Sequence, residues 1–358
     1  MQSNIRRYDI DTIRVIAIFL LMIYHSFFLF LSWGSDIGFI ENQESLDWLT
    51  IIMGLMNTWR IPLLFFVSGM GVYFAFRKRT AMELFTERAK RILVPLLFGS
   101  LIIVPIQSIL FQMYNHSNYM YLPNPSHLWF MLNLVYYVVL LLPIFNFLKR
   151  RPDFMPNVWF RKALDKSSLT IYLLAIPYVA EAFLIPEGFP FAMFAGSNHG
   201  LVIGIIAFAL GFYILMLGEK LWHAFDQLKV VNLSIALVIH GVVYFTKLDE
   251  LNGIQTHLLM AAESILIIFS VFGFGYRYLN RPMPVVQYVS KAVLPIYIVH
   301  MAVLFAVGSV ILPLAMPAWI KFIVVIVLTI GLCFAIYEFV IKRMKWLHRW
   351  FGMGSVKE

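Results

Sequence analysis

We single out nine of the ionisable side chains that lie within long apolar stretches of the sequence, where hydrocarbon or a protein core would surround them. They are Arg14, His25, Arg60, Glu181, His240, Glu263, Lys291, His300 and Glu338. A charged group in the middle of a membrane is costly, so such residues are usually paired, solvated or functional. We therefore treat each of them as a candidate for proton transfer, anion binding or substrate contact.

The spacing between Arg14 and His25 is the most informative. The eleven positions that separate them make about three turns of α-helix, so both side chains share one face and lie about 16 Å apart along the axis. Histidine exchanges protons near neutral pH, and the planar guanidinium of arginine binds phosphate well. Asp11 lies three residues before Arg14 and can pair with it. In an alternative interpretation, Arg14 belongs to the basic cytoplasmic flank of the helix, and His25 is a histidine that only packs in the core.

Arg60 lies close to a predicted break in the second apolar stretch. Pro62 removes a backbone hydrogen bond from a helix, and Ser68 and Gly69 allow a neighbouring helix to approach closely. A buried guanidinium beside such a break suits an anion or the oxyanion of an acyl-transfer intermediate. The alternative is that Arg60 extends along its helix to the outer surface.

The remaining ionisable groups differ in their predicted depth. Four lie near the ends of predicted helices, where a structural role is the simpler interpretation. These four are Glu181, His240, Lys291 and Glu338. Glu263 and His300 lie deeper, and each fits a ligand pocket or a paired group of the core equally well.

The composition of the chain indicates a membrane protein. Of its 358 residues, 61% are apolar and 13% are charged, whereas ordinary soluble domains have about 45–50% and about 25%. A soluble enzyme, a disordered chain and a disulfide-rich secreted scaffold are therefore disfavoured. The net charge of +9 is attributed to basic cytoplasmic loops and not to nucleic acid, which is not an expected partner.

Ten apolar stretches predict an all-α fold, a polytopic membrane helix bundle of about ten transmembrane helices. They lie at roughly 12–33, 48–76, 92–113, 127–148, 168–185, 200–218, 231–246, 257–278, 285–312 and 319–341. We expect a single membrane domain over residues 1–358, with spans from roughly 12 to 341 and no separate soluble domain. Sequence signatures of nucleotide hydrolysis and of zinc binding are absent, so no metal is expected.

Lysine and arginine are concentrated in alternate loops. Residues 77–91 and 149–166 hold six each, whereas the five loops on the other side hold only Lys247. By the positive-inside rule, both termini are cytoplasmic and the number of spans is even.

Several motifs together resemble the acyltransferase-3 family of membrane acyltransferases. In chain order they are Asp11-x-x-Arg14 with His25, Trp59 to Pro62 with Ser68 and Gly69, Arg88-x-x-Arg91 before Ile92 to Pro95, His127 to Phe130, and Tyr297-x-x-His300. The ending from Tyr337 to Gly352 is similar to that of the glucan-modifying, succinyltransferase-like branch. The motifs cover the whole chain, and their order makes the match specific.

This resemblance implies an integral membrane acyltransferase. It would move an acyl group, commonly acetyl or succinyl, from cytoplasmic acyl-coenzyme A (acyl-CoA) to a hydroxyl of a sugar or glycan at or across the membrane. Acyl-CoA is then the donor substrate, and no metal takes part. The implied location is the bacterial cytoplasmic (inner) membrane, with acyl-CoA, the glycan acceptor and membrane lipids as partners.

Within that chemistry the predicted catalytic residues are His25, Arg14 and Arg60. His25 would take the proton of the acceptor hydroxyl, and Arg60 would stabilise the oxyanion. Arg14, together with Arg88 and Arg91, would bind the phosphates of the coenzyme.

Substrate contacts are predicted more weakly, for Asp11, Trp129, Glu263 and His300. Two other functions also fit the pattern. A solute or proton-coupled transporter would share the ten spans and the buried polar groups, but such carriers usually contain repeated halves, which this sequence lacks. A catalytically inactive scaffold that senses acyl-CoA or lipid is the other alternative, and it gives no role to His25.

Overall fold

The computed structural model describes residues 6–121, 123–151, 153–245 and 252–354. The protein is 79% helical, and no strand occurs in these ranges. The predicted all-α membrane fold is therefore confirmed. Both termini and Lys247 lie outside the described residues, so the cytoplasmic location of the termini stays a prediction.

Eleven helices of more than ten residues are found in the described ranges. They are α1 (Tyr8–Phe30), α2 (Leu49–Phe76), α3 (Ala81–Tyr114), α4 (Ser126–Arg150), α5 (Met155–Lys166), α6 (Ser168–Leu184), α7 (Asn198–Leu217), α8 (Glu219–Phe245), α9 (Gly253–Leu279), α10 (Pro284–Ile311) and α11 (Ala318–Ile341). Among these, nine are long and apolar enough to cross a membrane, and α5 and α6 are the exceptions.

The fifth predicted span corresponds to the short helix α6. Its first eight residues form a 3₁₀-helix, and only five residues in its middle are α-helical. Because a 3₁₀-helix rises about 2.0 Å per residue against 1.5 Å for an α-helix, these segments laid end to end extend about 31 Å. That is close to the thickness of the hydrocarbon core, about 30 Å. The helix α6 is therefore long enough to serve as the tenth span.

We expect α6 to place its two ends on opposite sides of the membrane. Glu187 follows α6 and is exposed, and Lys166 precedes it and is also exposed. In intact cells, an impermeant maleimide should label Glu187→Cys, and it should label Lys166→Cys only after lysis. The native Cys333 is buried and provides the background. Labelling of both variants in intact cells would show that α6 does not cross.

The chain forms two compact units, each assembled from separate stretches of sequence. Unit 1 comprises the chain up to Arg14, Asn57–Phe85 and Tyr136–Val286. Unit 2 comprises Val15–Met56, Thr86–Val135 and the chain from Gln287 onward. The prediction of one membrane domain stays a prediction.

In unit 1, helices α2 and α7 approach closely through two glycines. A Cβ atom added to Gly69 would lie 2.0 Å from the backbone oxygen of Phe208, and one added to Gly211 would lie 2.0 Å from that of Phe66. Each helix therefore places its glycine against the backbone of the other. The close approach that Ser68 and Gly69 predict for this helix is confirmed, and small residues are the usual means of achieving it in membranes.

A larger side chain at Gly211 should separate α2 from α7. We expect Gly211→Val to destabilise the protein by about 1–3 kcal/mol, the usual cost of overpacking. Gly241→Val is the matched control, since a Cβ atom at Gly241 has no atom within 4 Å. The midpoint of thermal unfolding in detergent measures both. Equal midpoints for the two variants would contradict the close crossing.

In unit 2, helix α10 packs beside the end of α1. A Cβ atom added to Gly308 would lie 2.8 Å from the side-chain end of Leu29 and 2.5 Å from that of Ile40, so a larger residue here would require these side chains to shift. Pro295 lies inside α10, in the part of the helix that precedes His300. The packing of α10 against α1 brings His300 to the side chain of His25.

Candidate active site

His25 and His300 form a direct hydrogen bond in unit 2. Nδ1 of His25 lies 2.9 Å from Nε2 of His300, although 275 residues separate them in the sequence. The two rings are nearly coplanar, at 11°, with their centres 5.2 Å apart. His300 is fully buried, whereas His25 is half-buried. The spacing predicted only that His25 shares a helix face with Arg14, and the structure identifies its partner as His300.

The partners of His300 determine which nitrogen of His25 carries the proton. Nδ1 of His300 lies 2.6 Å from the backbone oxygen of Tyr297. A carbonyl oxygen only accepts, so this nitrogen is the donor, and in the neutral ring Nε2 is then an acceptor. It follows that Nδ1 of His25 donates to His300 and that the lone pair of the neutral His25 ring is on Nε2. His25 is thereby held in the tautomer that a general base requires.

His127 is a third histidine beside this pair. Its ring is perpendicular to that of His300, with the centres 5.0 Å apart. Nε2 of His127 donates to the backbone oxygen of Ile298 at 3.1 Å, so its Nδ1 is unprotonated when the ring is neutral. The hydroxyl of Tyr297 donates to the backbone oxygen of His127. His127 therefore joins the start of α4 to the segment of α10 that carries His300.

The turn that carries His127 is strained. Ser126 has a φ of +41°, which side-chain-bearing residues rarely adopt. Gln107 donates to the Ser126 hydroxyl at 2.7 Å, and the Ser126 backbone N–H donates to Asn124 at 2.9 Å. A Cβ atom added to Gly99 would lie 2.4 Å from Leu128, so the turn packs directly on α3. Strain of this kind persists where surrounding contacts fix the conformation, and it is common at functional sites.

Arg14 pairs with Asp11, as their spacing predicts. One oxygen of Asp11 lies 3.1 Å from Arg14, and its other oxygen lies 3.0 Å from Arg6. Both Arg14 and Asp11 are partly exposed, at 38% and 23% of the side chain. Residues Tyr8–Phe27 of α1 are α-helical without interruption, which the predicted shared face of Arg14 and His25 requires.

Arg88 and Arg91 share an acidic neighbour in unit 2. Glu87 lies 3.5 Å from Arg88 and 3.6 Å from Arg91. These distances exceed those of a good hydrogen bond, so the pairs are loose. Arg88 directly precedes a π-helical segment, Ala89–Leu93, and Arg91 lies within it; such segments are frequent at functional sites. The sequence pattern identified the two arginines and did not anticipate their competition for Glu87.

The C-terminal segment packs on the same part of α3. Gly352 has a φ of +63°, and a Cβ atom added there would lie 2.6 Å from the backbone oxygen of Arg91. Phe351 and Trp350 both contact the ring of Phe98. The chain end that resembles the glucan-modifying branch is thus built against the Arg88–Arg91 segment.

Arg60 is buried in unit 1, with 2% of its surface exposed. The alternative in which it reaches the outer surface is therefore wrong. Helix α2 breaks at Thr58 and Trp59, and Arg60 begins its second half. Pro62 falls in the first turn of that half, where its missing N–H breaks no helical hydrogen bond. The predicted break is confirmed, and it places a cation at a helix start.

Glu263 belongs to a buried polar network beside the same break. It accepts a hydrogen bond from the Thr58 hydroxyl at 3.2 Å and lies 3.1 Å from Nδ1 of His240. The Ser264 hydroxyl donates to the Thr58 backbone oxygen at 2.8 Å. Glu263 is 1% exposed. Its paired state explains how unit 1 accommodates this carboxyl group, and a contact with substrate stays a prediction.

The other predicted residues have simpler surroundings. Trp129 is half-buried at the start of the α-helical part of α4. Glu181 pairs with His199 at 2.8 Å, and Glu338 pairs with Lys342 at 2.8 Å. The structural role expected of Glu181 and Glu338 is consistent with the hydrogen-bond contact of Glu181 and the ion pair of Glu338.

Comparison with known proteins adds evidence that is independent of this geometry. The family model described as an acyltransferase domain matches residues 7–338. Among curated proteins, the glucans biosynthesis protein C of Escherichia coli K12 is 24% identical over 359 aligned positions, covering 93% of this chain and 91% of the relative. Those of strains SMS-3-5 and O157:H7 match with the same identity and coverage. No solved structure matches the chain significantly.

Proposed function

The chain belongs to the acyltransferase-3 family, and from that premise we propose that it transfers an acyl group from acyl-CoA to a hydroxyl of a glycan. It is a multi-pass membrane protein and an acyltransferase. The glycan acceptor is supported by relatives whose name refers to glucan biosynthesis and which align over nine-tenths of both chains. We further propose an acetyl or succinyl group as the cargo and the bacterial cytoplasmic (inner) membrane as the location.

The observation that carries this proposal is the hydrogen bond between Nδ1 of His25 and Nε2 of His300, from which the tautomer of His25 is inferred. Its unprotonated Nε2 takes the proton of the acceptor hydroxyl while the hydroxyl oxygen attacks the thioester carbonyl. The tetrahedral intermediate then collapses, the carbon–sulfur bond breaks, and the imidazolium returns its proton to the departing thiolate. Acylated acceptor and free coenzyme A are the products, and His25 ends as it began. General base catalysis of this kind contributes about 10²–10⁴ in rate.

Arg60 is our assignment for stabilising the oxyanion. Its burial supports this role, since a charge removed from water interacts more strongly with a developing negative charge. Arg14 is assigned to the donor, because its partly exposed guanidinium lies on the helix of His25. No metal has a step in this reaction, and the donor is the only cofactor that the proposal requires.

Arg88 and Arg91 are assigned to the phosphates of the coenzyme. A guanidinium binds phosphate through two parallel hydrogen bonds, which an ammonium cannot reproduce. We expect Arg88→Lys and Arg91→Lys each to weaken acyl-CoA binding by about 1–3 kcal/mol. Titration of acyl-CoA in detergent measures this. Wild-type affinity in both variants would leave the pair with a topological role only.

Glu87→Gln is the matched control for that experiment. It removes the carboxylate that both arginines face and leaves the guanidinium groups in place. We expect donor affinity to stay equal or to increase, because a competing anion is gone. A loss as large as that of the lysine variants would indicate that the ion pairs, and not phosphate contacts, are what the arginines supply.

Binding of a panel of donors tests the proposed substrate class. Acetyl-, succinyl- and longer acyl-CoA thioesters are added to the purified protein, and the midpoint of thermal unfolding is recorded. A ligand that binds the folded state raises this midpoint with occupancy. We expect a rise with at least one thioester and a smaller rise with adenosine alone. No rise with any thioester would contradict acyl-CoA as donor.

A further inference from the structure

A pocket in unit 1 is lined by none of the residues assigned above. Its volume is about 310 Å³, and it lies where α2, α4, α5 and α7 meet. Such a volume is at the lower end of the range for small-molecule sites, about 300–1,000 Å³. It accommodates a lipid headgroup and is small for a coenzyme that combines a nucleotide, a diphosphate and a pantetheine arm.

Three cations line the pocket, and no carboxylate does. The cations are Arg77, Lys149 and Arg161, and none of them forms a salt bridge within the described residues. Nζ of Lys149 donates to the backbone oxygens of Phe76 and Arg79, at 2.6 and 3.0 Å. The ammonium also lies 4.4 Å from the ring centre of Phe76. These contacts orient the ammonium group, and no carboxylate among the described residues neutralises its charge. An anion is therefore the ligand that the pocket favours.

Arg161 provides a second, independent indication. One terminal nitrogen donates to the backbone oxygen of Met216 at 2.6 Å, which fixes the guanidinium group. Its Nε is buried and has no hydrogen-bond partner among the described residues. A buried donor without an acceptor is unfavourable, so a ligand oxygen at this position would stabilise the protein.

The rest of the pocket is apolar and lies at the ends of membrane helices. Phe76 is the last residue of α2, Lys149 is the penultimate residue of α4, and Met216 is the penultimate residue of α7. Tyr73 and Phe212 line the same pocket and lie one turn deeper in their helices. A site with cations at the helix ends and aromatic rings below them matches an amphiphile whose phosphate lies at the membrane surface.

We propose that this pocket binds the phosphate of an anionic phospholipid from the surrounding membrane. Arg161 and Lys149 hold the phosphate oxygens, Arg77 supplies further positive charge, and the aromatic side chains contact the glycerol and the first methylenes. None of the residues assigned to donor binding or to acyl transfer lines this pocket. Its role would be to anchor the ends of α2, α4 and α7 to the lipid around them.

The test measures lipid binding to the purified protein by native mass spectrometry. The probes are dioleoylphosphatidylglycerol, which is anionic, and dioleoylphosphatidylcholine, which is not. We expect the wild-type protein to retain phosphatidylglycerol preferentially. Arg161→Gln and Lys149→Gln should each lower its affinity about fivefold, the effect expected of one basic residue near a lipid surface. If Arg161→Gln fails to fold, Arg77→Gln replaces it in the test. Arg77 is an exposed residue that also lines the pocket, so we expect its replacement to lower the affinity without preventing folding.

The matched controls are Lys162→Gln and Arg150→Gln. Each removes an exposed positive charge from the residue adjacent to Arg161 or Lys149, outside the pocket lining. We expect both to bind phosphatidylglycerol as the wild type does. Equal retention of the two lipids, or equal losses in the pocket and control variants, would overturn the proposal. Displacement of phosphatidylglycerol by soluble glycerol phosphate or by coenzyme A at similar concentration would also overturn it, because the source of phosphate would then not be the membrane.

Discussion

Replacing His25 by alanine should lower acyl transfer by about 10²–10⁴, the loss typical of a missing general base. In the proposed mechanism, Nε2 of His25 receives the acceptor proton, because Nδ1 donates to His300 at 2.9 Å. Membrane insertion and thermal stabilisation by acyl-CoA should be preserved. The measurement is acceptor-dependent release of free coenzyme A thiol by the purified variant.

His223→Ala is the control for His25→Ala. His223 is an exposed histidine that lies in unit 1 and contacts Tyr276, so its removal should leave transfer unchanged. His25→Ala with near-normal turnover would show that the histidine is structural and that the proton leaves by another route. A variant that loses donor stabilisation as well as turnover would assign His25 to binding.

The second large effect is expected at His300, which we propose as a positioning residue for His25. His300→Leu removes the acceptor for Nδ1 of His25, so the neutral ring is free to place its proton on Nε2 and lose its basic nitrogen. We expect kcat to fall about 10–100-fold, as for other residues that orient a catalytic histidine, with little change in KM for the donor.

His300→Gln distinguishes positioning from packing. Glutamine offers a carbonyl oxygen that can accept from Nδ1 of His25, whereas leucine cannot. Partial recovery of kcat in the glutamine variant is the expected result. Equal losses in both variants, together with a lower midpoint of unfolding, would indicate that His300 only fills the core.

The sequence predicted those features of the fold and the site whose residues all lie within one helix. The apolar stretches located the membrane helices, because each must cover about 30 Å of hydrocarbon. The three-residue spacing placed Asp11 against Arg14, and Pro62 marked the break beside Arg60. The sequence also located helix α6, predicted at 168–185 and found at Ser168–Leu184, but it did not predict the 3₁₀ geometry that lets a shorter segment cover the same distance.

The sequence pattern does not predict contacts between segments that are far apart in the chain. The hydrogen bond between His25 and His300 joins two helices at opposite ends of the chain, and only folding brings them together. His127 appeared in the sequence only as part of a motif, and its role depends on the strained turn at Ser126. The sequence feature that could have identified His127 is its place within a recognised motif, next to a turn that contains proline.

The interactions of the basic residues could not be predicted from the sequence either. Arg7 lies 3.7 Å above the ring of Trp222 and pairs with the buried Asp9, although the sequence indicates only a basic flank. Likewise, the alternate basic loops predicted orientation and did not reveal that three cations converge on one pocket. The number of lysines and arginines in a loop indicates its side of the membrane, whereas the meeting of three cations in one pocket depends on tertiary packing.

The central claim is that the protein cleaves its donor and attaches the acyl group to an acceptor, with His25 as base. The most direct measurement follows the radiolabelled acyl group of acetyl- or succinyl-CoA in sealed vesicles that contain the protein and a glucan acceptor. We predict that label appears covalently on the acceptor, with one coenzyme A thiol released per group transferred, and that His25→Ala abolishes both. Label that crosses the membrane without thiol release, or transfer that persists in His25→Ala, would contradict the account.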